Sequence, residues 1–361
     1  MRILVISNYR LPVYSLRPEA ELFIGLARKG HEITVMSYSD SNYREEFARA
    51  GIRFLPFHPD KKYDPGFIRA LREELDRRPY DMVHAFNKQG ITNAILCLFG
   101  RPEKLVTYRG VTGYTSRLDP TSYLSHLNPR VDAITCVSQS ASDYMKKQVI
   151  NKKKIQTVYK GHDLAWYADI EPAELSRFDI PQGAAVGICV ANIRRMKGLK
   201  YLLEETYRLP SMDNFHLLLV GQGMDHPKFR KLIVGSPMRG RIHLAGYRSD
   251  VVSLIRSSNF LILPSIKGEG LPKAVIEAMA QGVPAIATSV GGCPELIENE
   301  VSGKIVEPRS PKALADAITS YCRSIDQLPD IGRRAMERIG GQFNVQIGVD
   351  AMERAYMSVL G

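Results

Sequence analysis

The sequence predicts an α/β chain made of two doubly wound domains, each with a parallel sheet between layers of helices. Two observations carry this reading. Short apolar runs alternate with amphipathic stretches of helical length through the first half. After an irregular, proline-bearing segment the same alternation begins again. The length of 361 residues agrees, being enough for two domains of ordinary size with separate cores.

RILVIS opens the first series as a buried strand. RPEAELFIGLARKG follows as a helix, with Pro18 near its start and Gly30 closing it, the asymmetry that suits helix termini. HEITVMS, GIRFLPF, YDMVHAF, KLVTYRG and AITCVSQS continue the strands, and PGFIRALREELDRR lies between them as a helix. The segment GHDLAWYADIEPAELSRFDIPQG, with Pro172 and Pro181, is where the chain is expected to pass between domains. The second series runs AVGICVAN, FHLLLVGQG, RIHLAGY, FLILPS, VPAIATS and GKIVEP, and a helix from about Asn344 to Leu360 ends the chain. The expected domains are therefore 1–165 and 166–343, followed by the terminal helix 344–361.

Hydrophobic content of 44% and charged content of 24% are those of a soluble globular protein. The start, MRILVISNYRLP, reads as a strand and not as a signal peptide, and no run approaches the ~18 apolar residues of a membrane span. Cys97, Cys136, Cys189, Cys293 and Cys322 are scattered, without C-x-x-C or Cys/His spacing. Free thiols in a reducing cytoplasm are the simplest account. Net charge is +11, divided as +9 over residues 1–165 and +2 over the rest. The cluster Lys146, Lys147, Lys152, Lys153 and Lys154 has two readings. One is a footprint for an anionic membrane surface, at ~1 kcal/mol per basic residue, which would make the protein peripheral on the inner face of the cytoplasmic membrane. The other is a solubilising surface with basic helix ends. No aromatic-basic RNA motif or helix-turn-helix pattern occurs, so nucleic acid is not an expected partner.

The most informative segment is GEGLPKAVIEAMAQGVPAIATSVGGCPELI, residues 268–297. FLILPS before it reads as a buried parallel strand ending in a polar loop. Pro272 suits the first turn of a helix, and Gly282 closes that helix. Glu269 then lies at the carboxyl end of a strand, where ligands of open α/β sheets bind, and Glu277 lies on the helix. The amides of Gly270 and Leu271 at the helix start suit a diphosphate or polar sugar. A carboxylate at Glu277 can accept two hydrogen bonds from vicinal ribose hydroxyls, and Glu269 can do the same for a hexose. Taken singly, either glutamate also reads as a solvated charge. The combination of strand, Ser265, EG, P, a second Glu eight positions on, AMAQGVP and SVGGCPE favours the ligand reading.

This block resembles the donor-site signature of retaining GT-B glycosyltransferases of family 4, the E-x7-E group, and ordered elements along nearly all of the chain extend the resemblance. It implies two Rossmann-like domains facing across a cleft, with the last helix returning to the first domain. It also implies a nucleotide-diphosphate sugar as donor and a glycan or lipid-linked acceptor, as in lipopolysaccharide or other surface-glycan assembly.

Other residues align with family features. ANIRRMKGLKYLL (191–203) matches at Lys197–Gly198, the phosphate-binding lysine. Cations there stabilise the charge developing on a leaving diphosphate. The family arginine, usually five or six positions earlier, is replaced by Asn192 and Ala191, so Arg194 or Arg195 is the candidate substitute. Gly221 and Gly223 resemble the GxG turn near the nucleotide, and Tyr247 or Arg248 of GYRSD would flank the base. In SVGG (Ser289–Gly292, with Glu295) the glycines read first as backbone geometry. Arg109 stands where the family commonly has a histidine near the transferred sugar, leaving three possibilities: donor phosphate, anionic acceptor or solvent. Asn8 and Arg10, in the loop SNYRLPVYS, are the acceptor-side candidates. CVSQS and YKGHD match structural landmarks, and His84 and His162 read as structural histidines. No D-x-D motif occurs, so neither a chelated metal nor another cofactor is expected. Rival readings are a GT-B epimerase or phosphorylase and a non-catalytic sugar-nucleotide binder. A nicotinamide oxidoreductase would need G-x-G-x-x-G after the first strand, where SNYRLP stands.

Overall fold

The computed structural model describes residues 1–10, 13–207, 209 and 214–361, with backbone only for 13–15. Leu11 and Pro12, part of the expected acceptor loop, lie outside the described residues. The chain divides into two compact units. The first comprises Met1–Gly161 with Phe343–Gly361, and the second His162–Gln342. The division falls slightly ahead of the 165/166 position read from the sequence. The proline-bearing segment therefore belongs to the second unit, where it forms short 3-10 turns at Leu164–Tyr167 and Ser176–Phe178.

The first unit is built on strands β1 (Arg2–Ile6), β2 (Glu32–Met36), β3 (Arg53–Leu55), β4 (Met82–Ala85), β5 (Lys104–Arg109), β6 (Ala133–Cys136) and β7 (Ile155–Thr157). They lie in the order β3-β2-β1-β4-β5-β6-β7, and every pairing is parallel. The strand β7 was not expected. Its three residues follow directly on Lys152–Lys154, and the lysines mask the short apolar signal. Lysine beside an edge strand also discourages pairing with another chain.

The helix after β1 runs Val13–Arg28, so Pro18 lies inside it and not at its start. Its apolar stripe, including Leu16, Ala20 and Phe23, joins β1 and β2 in one core cluster. Helix starts elsewhere are capped as their sequences dictate. Asp64 accepts from the amide of Phe67 ahead of Pro65, Ser138 from Ala141, and Asn344 from Ile347.

The terminal helix, Val345–Leu360, packs on the Val13–Arg28 helix. Val349, Met352, Ala355 and Tyr356 complete the same core. An added Cβ at Gly25 would come within 2.4 Å of Val349, so the small residue permits the close crossing. The buried imidazole of His84 bonds Tyr356 Oη at 2.6 Å and Thr135 Oγ1 at 3.1 Å. His162 bonds Tyr167 Oη at 2.7 Å.

The second unit has strands β8 (Ala185–Val190), β9 (Phe215–Val220), β10 (Ile242–Gly246), β11 (Phe260–Leu263), β12 (Ala285–Thr288) and β13 (Gly303–Val306). Their order is β10-β9-β8-β11-β12-β13, again all parallel. Chain order reverses between β8 and β11, which makes the carboxyl ends of those two strands the switch point where such sheets bind ligands. Four of the cysteines are buried, and all five are free thiols.

Candidate functional site

The loops that leave β8 and β11 are joined at that switch point. The Ile266 amide donates to the Met196 carbonyl at 2.7 Å. Gly198 has φ of +68°, and a Cβ there would lie 1.8 Å from the Pro264 carbonyl oxygen, so only glycine allows the approach. Held in this way, Lys197 Nζ donates to Glu269 Oε1 at 2.6 Å. Ser265 Oγ donates to the same oxygen at 2.5 Å, and Thr288 Oγ1 fixes the Ser265 carbonyl at 2.5 Å. Glu269 is 5% exposed, whereas the Lys197 side chain is 23% exposed. Lys197 is therefore the more accessible member of the pair.

A third loop closes behind this pair. Gly291 has φ of +60°, and its added Cβ would lie 1.9 Å from the Glu269 carbonyl oxygen. The Gly292 amide donates to the Gly270 carbonyl at 2.8 Å. The SVGG glycines therefore act through backbone proximity: they let the loop after β12 support the segment that carries Glu269 and Gly270. Cys293 opens the short Cys293–Leu296 helix that follows, and burial together with the Glu269 charge pushes its thiol up.

The helix after Leu271 runs Lys273–Ala280, with Pro272 as its N-cap residue just outside the first turn. Glu277 is only 4% exposed, which rules out an exposed helix-face charge. Burial raises its carboxyl above the usual range, opposed by Lys273 one turn back at 2.8 Å.

The GQG turn packs against the loop after β8. Gly221 (φ +140°) would place a Cβ 2.0 Å from the Ala191 carbonyl oxygen, and Gly223 has φ of +80°. Gln222 exchanges hydrogen bonds with the side chain of Asn192 and the amide of Ile193. Tyr247 is exposed. Arg248 forms a two-point bond with Asp250, at 2.8 and 2.7 Å, and Arg177 shares that carboxylate. Arg248 is thus held beside its own turn. Arg194 and Arg195 are exposed, and neither forms an ion pair among the described residues.

In the first unit, Arg109 is buried, with Nε donating to Val111 O at 3.0 Å and Nη2 to Gly113 O. Of the three possibilities raised above, contact with solvent alone is excluded, because the guanidinium braces its own loop. Asn8 accepts from the Arg10 amide at 2.9 Å. Arg10 lies 3.7 Å above the Tyr38 ring and pairs with Asp40.

One cluster was missed. At the carboxyl ends of β1 and β5, Glu19 accepts from Ser7 Oγ and Lys160 Nζ, both at 2.5 Å, and the ammonium lies 3.9 Å from the Tyr108 ring. The signal was present in the sequence. Glu19 falls on the apolar face of its helix, between Leu16 and Phe23, where a charge requires a partner.

Two parallel α/β sheets, with an ammonium and a carboxylate paired at the switch point of the second, have the architecture of a GT-B glycosyltransferase. The comparisons with known proteins agree. Residues 20–166 match the family model described as Glycosyltransferase Family 4, and residues 184–324 match Glycosyl transferases group 1. The chain belongs to glycosyltransferase family 4. It is 26% identical over 339 residues to N-acetyl-alpha-D-glucosaminyl L-malate synthase of Bacillus anthracis, covering 91% of this chain and 84% of that one. It is 23% identical to the UDP-Gal:alpha-D-GlcNAc-diphosphoundecaprenol alpha-1,3-galactosyltransferase of Escherichia coli, covering 98% and 94%. Among solved structures, Anabaena Alr3699/HepE in complex with UDP and glucose superposes with a TM-score of 0.79 at 17% identity, covering 99% and 100%.

Proposed function

We propose that this glycosyltransferase moves a hexose or related sugar from a nucleotide-diphosphate donor to an acceptor hydroxyl with retention. The observation that carries the proposal is the Lys197–Glu269 pair at the β8/β11 switch point, followed by a buried Glu277 one helix further on. In this reading Lys197, with Arg194 or Arg195, faces the diphosphate. Glu269 and the amides of Gly270 and Leu271 hold the sugar and its phosphate, and Glu277 accepts from the ribose. Gly221, Gly223 and Tyr247 border the nucleotide.

The anomeric carbon–oxygen bond to the diphosphate breaks, and a bond to the acceptor oxygen forms on the same face. The acceptor proton passes to the departing phosphate oxygen, so no separate protein base is required. Charge builds on the leaving group, and a fixed ammonium is suited to stabilising it. We propose accordingly that no chelated metal takes part.

The relatives support a donor and acceptor class. One is named for a UDP-galactose donor and a lipid-diphosphate acceptor, and the Anabaena structure holds UDP and glucose. Assembly of a cell-surface glycan on a sugar or lipid-linked acceptor fits them both. The test is thermal stabilisation against UDP-, GDP- and ADP-sugars. The cognate donor at one hundred times its dissociation constant adds ~2.7 kcal/mol. A flat response to every nucleotide sugar would contradict the proposal.

A further inference from the structure

We propose that the first unit holds a binding site for a compact phosphate-type anion, between three arginines at the amino ends of its strands. This is the end of the sheet away from the carboxyl edge, where open α/β sheets bind their substrates. The inference goes beyond the transferase reading and does not depend on it.

Strand register builds the site. β1 and β2 pair with Arg2 beside Glu32, and β2 and β3 pair with Thr34 beside Arg53. Arg78 and Tyr80 lead into β4, on the other side of β1. Together these residues line a cavity of about 120 Å³. Its floor is fixed. Arg53 makes a two-point bond to the buried Glu74, with Nη2 3.0 Å from Oε2. Tyr80 Oη lies 2.6 Å from Glu74 Oε1 and 3.0 Å from Thr34 Oγ1.

The two arginines at the rim are not used up by their carboxylate. Arg2 Nε reaches Glu32 Oε1 at 3.3 Å, and Arg78 Nη2 reaches the other oxygen at 3.4 Å. Both contacts are long for hydrogen bonds, and neither is the two-point fork that a guanidinium makes with a carboxylate. Each guanidinium has five N–H donors and gives one to a carboxylate among the described residues. Glu32 is the only carboxylate that lines the cavity, against three arginines. Glu74 offsets Arg53 from beneath, and Asp81, outside the lining, accepts from the Arg2 amide at 2.6 Å. The rim therefore stays cationic.

A phosphate-type oxyanion matches this set. Planar guanidinium forks fit phosphate oxygens two at a time. Arg2 and Arg78 each turn a fork onto the anion, Arg53 backs it, and the exposed Glu32 swings to solvent. A closed floor admits a compact group, whereas a nucleic-acid strand would favour an open groove with aromatic stacking platforms.

The test is calorimetry with pyrophosphate, at an ionic strength held constant with chloride. We expect saturable binding to the parent. Arg2→Gln and Arg78→Gln each weaken it about tenfold or more, the scale of a lost charge-assisted contact. Glu32→Gln strengthens it, because the competing carboxylate is gone, and a cluster that serves only its own ion pairs gives no such gain. Arg333→Gln removes an exposed positive charge from the other unit and leaves binding unchanged. These four side chains are 47% to 57% exposed, so the fold is kept, and melting temperatures without anion are measured alongside. Absence of saturable binding, equal weakening by Arg333→Gln, or no gain in Glu32→Gln would each overturn the proposal. Binding that persists in Arg2→Gln/Arg78→Gln and disappears in Lys197→Ala would belong to the donor site and overturn it as well. A flat thermal response to nucleotide sugars bears on the transferase reading alone, so the two readings fail separately.

Discussion

Lys197 and Glu269, 72 residues apart in sequence, are joined at 2.6 Å where β8 and β11 diverge. The sequence presents them as parts of two separate motifs, a basic helix start and an acidic loop. Folded, they form one charge-assisted unit, with Ser265 donating to the same carboxylate oxygen. Lys197→Ala therefore removes a cation from the site and also leaves Glu269 short of its partner. Donor turnover should fall at least ~100-fold, the scale of losing one preorganised electrostatic group. The double variant Lys197→Ala/Glu269→Ala should cost less than the sum of the single variants. Additive losses in the rate measurements would show that the two residues act independently.

Gly198 sets the position of Lys197. An alanine there combines φ of +68° with a Cβ 1.8 Å from the Pro264 carbonyl oxygen. Gly198→Ala should cost more than ~1–3 kcal/mol of stability and should reduce turnover with it. Gly240→Ala, where nothing lies within 4 Å, is the control and should melt like the parent. Equal melting of both variants would show that the loop relaxes freely.

The first unit should lose stability in mild acid. His126 is buried, its Nδ1 3.0 Å from Thr107 Oγ1, and burial, aided by Arg109, lowers it to about 3. A depressed histidine contributes its full stability above the unfolded value of ~6.5. As pH falls from there toward the folded value, that contribution is lost at ~1.4 kcal/mol per unit. His126→Gln has no such proton to take up, so the parent's advantage over it should narrow between neutrality and about pH 5. Parallel stability curves would contradict the assignment. His84, also lowered by burial, adds the same trend to parent and variant alike.

Turnover should survive excess chelator if Lys197 supplies the positive charge that a metal would otherwise provide. The measurement is donor consumption with and without chelator. Abolition by chelator, with rescue by manganese or magnesium, would show that the charge at the diphosphate comes from an ion.

Much of this was legible because it depends on local pattern. The apolar runs of β8, β9, β11 and β12 are buried on both faces and stand out, as does the glycine that follows Lys197. What was not legible depends on partners distant in sequence. The three-residue β7 is defined only by its pairing with β6 and is hidden by the preceding lysines. The Pro18 position is tolerated within a helix whose packing comes from the far end of the chain. Arg109 reads in the sequence as open to a donor phosphate, an anionic acceptor or solvent, and only the folded loop shows two of its guanidinium donors bracing the Val111 and Gly113 carbonyls. Glu19 and Lys160 meet across 141 residues: a charge on an apolar helix face signals that a partner exists, but not that it is Lys160.

Glu269 and Glu277 are proposed to hold different parts of one nucleotide sugar, and calorimetry with the nucleoside diphosphate separates their roles. On that proposal Glu277→Ala removes charged hydrogen bonds to the ribose, worth ~1.5–3 kcal/mol each, so diphosphate affinity should fall at least tenfold. Glu269→Ala should bind the diphosphate nearly as the parent does while losing turnover, because its proposed partner is the sugar. Unchanged diphosphate binding in folded Glu277→Ala would contradict the account and place the nucleotide elsewhere.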